Sequence, residues 1–249
     1  MNSINKLPVI TLSFWIIKIC ATTLGETAGD LLSMTLNIGY ALSSMLLLSF
    51  FFVTLFIQLS IKKYHPIIYW AVILATSTAG TTISDFMDRT LGLGYATGSL
   101  ILATLLVVTL VIWKISEKTL AVTNITSTRG ELFYWTAILL SNTLGTALGD
   151  FLADNSGLGF AGGAILIGSL LVLIVLAYKF TGISHIVLFW LVFVLTRPFG
   201  ATFGDLLTKP LEKGGLNFGT VGSSALLFMI LAILVFVLMV RTEHNNLSP

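Results

Sequence analysis

Charge is what this chain has least of. Only 10% of its 249 residues are Asp, Glu, Lys or Arg, against about 25% in a soluble domain. That scarcity excludes an ordinary soluble fold. The formal net charge of +2 is too small to suggest a nucleic-acid partner. Cysteine is nearly absent. Cys20 stands alone, which excludes an intrachain disulfide and leaves the redox compartment open. It reads as a small buried residue. There is no CxxC pair, no His-rich cluster, and no HExxH, G-x-S-x-G or Walker-type motif. His65 and His185 fall at helix ends and His244 in the tail, so no histidine stands beside the hydroxyls of the apolar runs. These absences argue against an enzyme.

What is abundant is apolar: 56% of the chain. Runs of about 20 apolar residues recur, each long enough to cross a hydrocarbon core of about 30 Å. Stretches such as SMLLLSFFFVTLFIQL do not alternate, so a β-barrel is excluded. No small-residue cleavage site marks the N-terminus, and the first run reads as a retained helix. Eight spans are expected, at 9–33, 38–60, 66–87, 92–113, 131–153, 157–179, 184–208 and 217–240. The connectors on the side of the termini carry Lys6, Lys62, Lys63, Lys114, Lys118, Arg129, Lys179 and Arg241. The other side carries Arg89, Lys209 and Lys213. By the positive-inside rule both termini are expected in the cytoplasm.

Four internal repeats are plain. Trp15, Trp70, Trp135 and Trp190 each follow an aromatic residue. Ten residues after each comes Gly25, Gly80, Gly145 or Gly200, and fifteen after comes Asp30, Asp85, Asp150 or Asp205. A further glycine follows at Gly39, Gly94, Gly159 and Gly219, the last after five extra residues. Each repeat contains two spans, so all four run the same way. The repeats are placed at 12–60, 66–113, 131–179 and 184–240, in a single transmembrane domain over 1–249. A linker at 114–130 joins the halves. Four hairpins around an axis along the membrane normal is the simplest arrangement; two-fold packing of the halves is the other. The inverted repeat of many secondary transporters is excluded.

The pattern resembles a family of uncharacterised bacterial integral membrane proteins built from four tandem repeats, each with two transmembrane helices and a tryptophan. The resemblance covers residues from about 12 to 240. It implies the eight-helix architecture and a bacterial inner membrane, and it implies no activity.

Positions four apart share one side of a helix. The first repeat then shows Lys18, Thr22, Glu26 and Asp30 in one row. The second shows Ile73, Ser77, Thr81 and Asp85, and the third Ile138, Asn142, Thr146 and Asp150. The fourth shows Phe193, Arg197, Ala201 and Asp205. A neighbouring row adds Thr23, Thr27, Thr78, Thr82, Thr143 and Thr202. One Asp at mid-span costs roughly 2.5–3.5 kcal/mol, so four turned to lipid cost on the order of 10 kcal/mol. The rows are therefore expected to converge on a central polar cavity or pore lined by the odd helices. Small residues at the starts of the even helices suit close packing behind them. The tryptophans are expected in an aromatic belt at the cytoplasmic interface. Fifteen residues at 1.5 Å put the aspartates about 22 Å further out.

The candidate transport residues are Glu26, Asp30, Asp85, Asp150 and Asp205, which could also hold a divalent metal. Lys18, Thr22, Thr23, Ser77, Thr78, Thr81, Asn142, Thr143, Thr146 and Arg197 form the candidate polar lining. The leading expectation is a transporter or channel for a proton or a hard divalent cation, because all nearby ligands are oxygens. A carrier of a small zwitterionic or anionic solute, held by Lys18 and Arg197, is the alternative. A non-transporting scaffold or assembly factor is the third reading. There the aspartates cap turns, and Lys18 and Arg197 neutralise acids such as Glu26 and Asp205. The expected partners are the lipid bilayer and the small cation or solute.

Overall fold

The computed structural model describes residues 7–122, 125 and 127–247. Lys6 and the side chain of His244 lie outside the described residues. Eight long helices follow one another: α1 (Leu12–Asp30), α2 (Tyr40–Ser60), α3 (Pro66–Asp85), α4 (Gly94–Glu117), α5 (Thr128–Asp150), α6 (Gly159–Phe180), α7 (His185–Thr208) and α8 (Thr220–Leu247). Each coincides with an expected span to within a few residues at most ends. Thr11 and Ser127 accept backbone N–H bonds at the starts of α1 and α5. Pro66 occupies the first turn of α3, where its missing N–H costs nothing. Gly39, Gly94, Gly159 and Gly219 all adopt positive φ in the turns between helices.

Six helices are long and apolar enough to cross a membrane: α2, α3, α4, α6, α7 and α8. The other two, α1 and α5, hold equivalent places in the bundle. Lys18, Glu26 and Asp30 in α1, and Asn142 and Asp150 in α5, lower their mean hydropathy.

The odd helices form a closed square, α1 against α3, α3 against α5, α5 against α7, and α7 against α1. Each even helix packs outside, against the odd helix of the next repeat: α2 on α3, α4 on α5, α6 on α7, and α8 back on α1. Of the two arrangements the sequence allowed, the ring of four repeats is the one observed, but each even helix leaves its own odd helix and packs on that of the next repeat, so the repeats are not closed hairpins.

The repeat glycines make the square tight. A Cβ on Gly25 would lie 2.2 Å from Ser77 Oγ, and one on Gly80 would lie 3.0 Å from the backbone of Asn142 and Thr143. One on Gly145 would lie 2.3 Å from Arg197 Cγ, and one on Gly200 would lie 2.6 Å from Thr22 Oγ1. Each glycine thus faces the same register position of the next odd helix. Gly29, Gly149 and Gly204, one turn further on, meet Thr81, Ala201 and Glu26 in the same way. These are small-xxx-small seams, closed into a ring.

The tryptophans also differ from expectation. Trp70, Trp135 and Trp190 are buried, and Trp15 is half-buried. Trp15 packs on Phe189 at 5.7 Å, Trp70 on Phe14 at 5.4 Å and Trp135 on Tyr69 at 5.5 Å. At the fourth seam Trp113 sits between Trp190 and Tyr134. They fasten each repeat to the one before it, and the expected lipid-facing belt gives way to this inter-repeat packing.

A candidate charged axis

The rows of four converge as the sequence expects, and they form layers across the square. From the tryptophan end the layers are Phe14, Tyr69, Tyr134 and Phe189; then Lys18, Ile73, Ile138 and Phe193; then Thr22, Ser77, Asn142 and Arg197. Glu26, Thr81, Thr146 and Ala201 follow, and the four aspartates close the series. No residue in the last four layers is more than 3% exposed. The expected cavity is instead filled. The glycine seams draw the helices together, and the Arg197 side chain occupies the axis.

Arg197, itself on α7, reaches the other three odd helices. Its Nε donates to the Asn142 carbonyl at 3.2 Å and its Nη1 to the Thr22 carbonyl at 2.8 Å. Around Nη2 lie Glu26 Oε2 at 3.0 Å, Thr146 Oγ1 at 2.8 Å, the Ser77 carbonyl at 3.2 Å and Thr81 Oγ1. Glu26 Oε2 also accepts from Thr81 at 3.2 Å and Thr146 at 3.3 Å. A buried ion pair is tolerated when further hydrogen bonds satisfy its lone pairs and protons, and Glu26 Oε2 and all three guanidinium nitrogens of Arg197 have such bonds.

Lys18 is different. Its side chain is fully buried, and its Nζ has no hydrogen-bond acceptor among the described residues. The ammonium stands 3.6 Å above the Phe193 ring. It pairs with neither Glu26 nor Asp205.

At the far end two cations that sequence reasoning assigned to loops enter the ring. Arg89 bridges Asp85 at 3.0 Å and Asp150 at 2.9 Å. Lys209 bridges Asp30 at 2.7 Å and Asp205 at 3.1 Å. Each cation stands four residues after an aspartate of its own repeat and reaches the aspartate of the next. The i, i+4 spacing after Asp85 and Asp205 was the signal that could have found them. Burial works against the charge of Lys209, but Asp205 and Asp30 outweigh it and hold its pKa above the ordinary lysine value. Arg89 is also framed by the rings of Tyr40 and Tyr95, at 6.0 and 5.8 Å. Each bridge sets one cation between two carboxyl groups, so the aspartate end holds four carboxyl groups and two cations.

Glu26, Asp30 and Asp205 each offer an oxygen, and these lie within 4.8 Å of one another. Asp85 and Asp150 stand apart from this group, around Arg89. Of the candidate lining, Thr81, Thr146, Asn142, Ser77 and Thr22 meet Arg197 or its carboxylate through side chain or backbone. Asn142 also donates to Thr76 Oγ1 at 3.0 Å. Thr23, Thr78 and Thr143 bond back to carbonyls of their own helices. Their hydroxyls are satisfied within their own helices.

A family model described as a Repeat of Unknown Function (DUF347) matches the chain four times, over residues 13–64, 68–119, 133–184 and 188–245. No curated protein and no solved structure matches it.

Proposed function

We propose, from the premise that this chain belongs to the DUF347 repeat family, that it is a multi-pass membrane carrier for a small cation. The carrying observation is the convergence of the Glu26, Asp30 and Asp205 oxygens within 4.8 Å inside the bundle. Oxygen ligands of this kind suit a hard divalent cation or a proton. Intramembrane carboxylates commonly mark ion and proton pathways.

The carrier reading is preferred to an open channel because Arg197 fills the axis below this site. Cargo would enter from the aspartate end, where two bridges hold four carboxylates with two cations. Passage requires the Arg197 layer and the layer of Lys18, Ile73, Ile138 and Phe193 to part. Lysine and arginine asymmetry in the connectors supports an orientation with both termini in the cytoplasm and the aspartate end outside, and the family resemblance suggests a bacterial inner membrane. No catalytic role is assigned.

Flux in proteoliposomes tests this. Wild-type protein should move H⁺, Mg²⁺, Mn²⁺ or Ca²⁺. The Asp30→Asn/Asp205→Asn variant should lose that flux while still eluting as a folded protein. Absence of flux for all four ions from the wild type would sink the proposal.

One observation favours the second reading, a carrier of a small zwitterionic or anionic solute: the Lys18 ammonium has no acceptor. A solute carboxylate would supply one. Under that reading Lys18→Gln abolishes solute uptake and leaves cation flux untouched.

A further inference from the structure

The fourth repeat departs from the other three just past its aspartate. In repeats one to three the chain continues into a π-helical turn, at Leu31–Thr35, Phe86–Thr90 and Phe151–Asn155. In repeat four α7 continues to Thr208. The backbone then turns extended at Lys209 and enters a short 3₁₀ turn at Leu211–Lys213. Just where the chain leaves α7, Lys209 reaches two carboxylates of the three-carboxylate group, Asp30 and Asp205.

The two bridges of the aspartate ring are not equivalent. Arg89 is held by two carboxylates, two aromatic rings and a hydrogen bond to Tyr40 Oη at 3.3 Å. Among the described residues, Lys209 is held by Asp30 and Asp205, which group with Glu26. Asp205 Oδ1 is buried and receives no hydrogen bond; the ammonium lies at 3.1 Å but off hydrogen-bond geometry. That oxygen faces a site where a positive charge already sits, and its ion-pair partner there is the Lys209 ammonium. A 4.8 Å spread of oxygens matches the span across a six- to eight-coordinate hard cation, about 4–5 Å for metal–oxygen bonds of 2.0–2.6 Å.

We propose that Lys209 is a tethered competitor: its ammonium occupies the seat of the cargo cation, and the cargo binds by displacing it. This rests on the cation-carrier reading. A lysine suits the part. It is a compact point charge on a flexible stem, and it withdraws without the bidentate geometry that would fix an arginine. A divalent ion brings twice the charge to the same oxygens and displaces it; a monovalent ion of equal charge gains nothing by the exchange. Lys209 therefore sets the threshold that selects divalent over monovalent cations.

The test is Mn²⁺ binding to the purified full chain in detergent, read from the loss of the free-ion electron paramagnetic resonance signal. Four proteins are compared: wild type, Lys209→Gln, Lys209→Arg and Lys213→Gln. Lys213 is exposed in the same turn and controls for general charge. Lys209→Gln should bind Mn²⁺ about tenfold or more tightly than wild type, as expected from removing a unit charge beside the site. Lys213→Gln should match wild type, and adding Asp205→Asn to Lys209→Gln should abolish the gain. Lys209→Arg should bind more weakly than wild type, and it supplies the test if Lys209→Gln does not fold. Equal affinities in wild type and both Lys209 variants overturn the competitor role and leave the carrier reading standing. No Mn²⁺ binding by any variant, and none of Mg²⁺ or Ca²⁺ by calorimetry, overturns both.

Discussion

At the scale of single residues, the interior is governed by which charges find partners. Arg197 and Glu26 pair within a buried hydrogen-bonded network, and removing one partner of such a pair costs about 3–5 kcal/mol. Arg197→Met should lower stability by that order in detergent unfolding, and Glu26→Gln/Arg197→Met should recover part of the loss. Simple additivity of the two single changes would show that the pair is not coupled. Lys18 predicts the opposite sign. Replacing a buried cation that lacks an acceptor by an apolar residue of similar volume is often neutral or stabilising, by about 1–4 kcal/mol. Lys18→Met should therefore raise the unfolding midpoint; a fall would mean that the Phe193 contact outweighs the burial of the charge. The sequence put Glu26 among the acids that Lys18 or Arg197 could neutralise, because all stand in the polar rows, but it did not say which cation takes it; the fold gives it to Arg197. The partners of the aspartates were not legible in the sequence. Arg89 and Lys209 lie past the apolar runs, so they read as solvated loop residues. Only the fold shows that one continues into a π turn and that the other is carried back over the ring.

At the scale of helices, the repeat motif explains itself as packing. The glycine ten residues after each tryptophan exists because the next odd helix leaves no space for a Cβ. Gly25→Ala and Gly200→Ala should each destabilise the protein by about 1–3 kcal/mol through overpacking. Gly222→Ala is the control, since nothing lies within 4 Å of its Cβ position. Thermal unfolding of the three variants decides; equal midpoints would mean the helices separate at no cost. The positions of the helices were legible from runs of apolar residues and from the glycines at the turns. The π-helical turns were not, because hydrophobic periodicity cannot distinguish one extra residue per turn over so short a stretch. The tryptophans were misplaced for a similar reason. Their position near helix ends suggests a lipid interface, but the aromatic residue before each one offers a protein surface that the sequence does not locate.

At the scale of the molecule, the ring closes through α8 on α1, and Thr35 Oγ1 lies 2.6 Å from Thr220 Oγ1. In a Cys20→Ala background, Thr35→Cys/Thr220→Cys should oxidise to a disulfide, because that separation brings the two sulfurs within bonding reach. Cleavage at a protease site placed in the 114–130 linker should then leave the halves joined until reductant is added. Halves that separate without reductant would contradict ring closure. A closed ring with a filled axis and a charged end carries the central claim, a carrier that exposes one cation site in turn to each side. Trans-stimulation measures this most directly. Proteoliposomes are loaded with unlabelled Mn²⁺, and uptake of radioactive Mn²⁺ from outside is followed with no net gradient. The account predicts that internal Mn²⁺ accelerates labelled uptake, and that the Asp30→Asn/Asp205→Asn variant removes the acceleration. Labelled uptake in wild-type vesicles that is absent, or no faster with internal Mn²⁺ than without it, would contradict it.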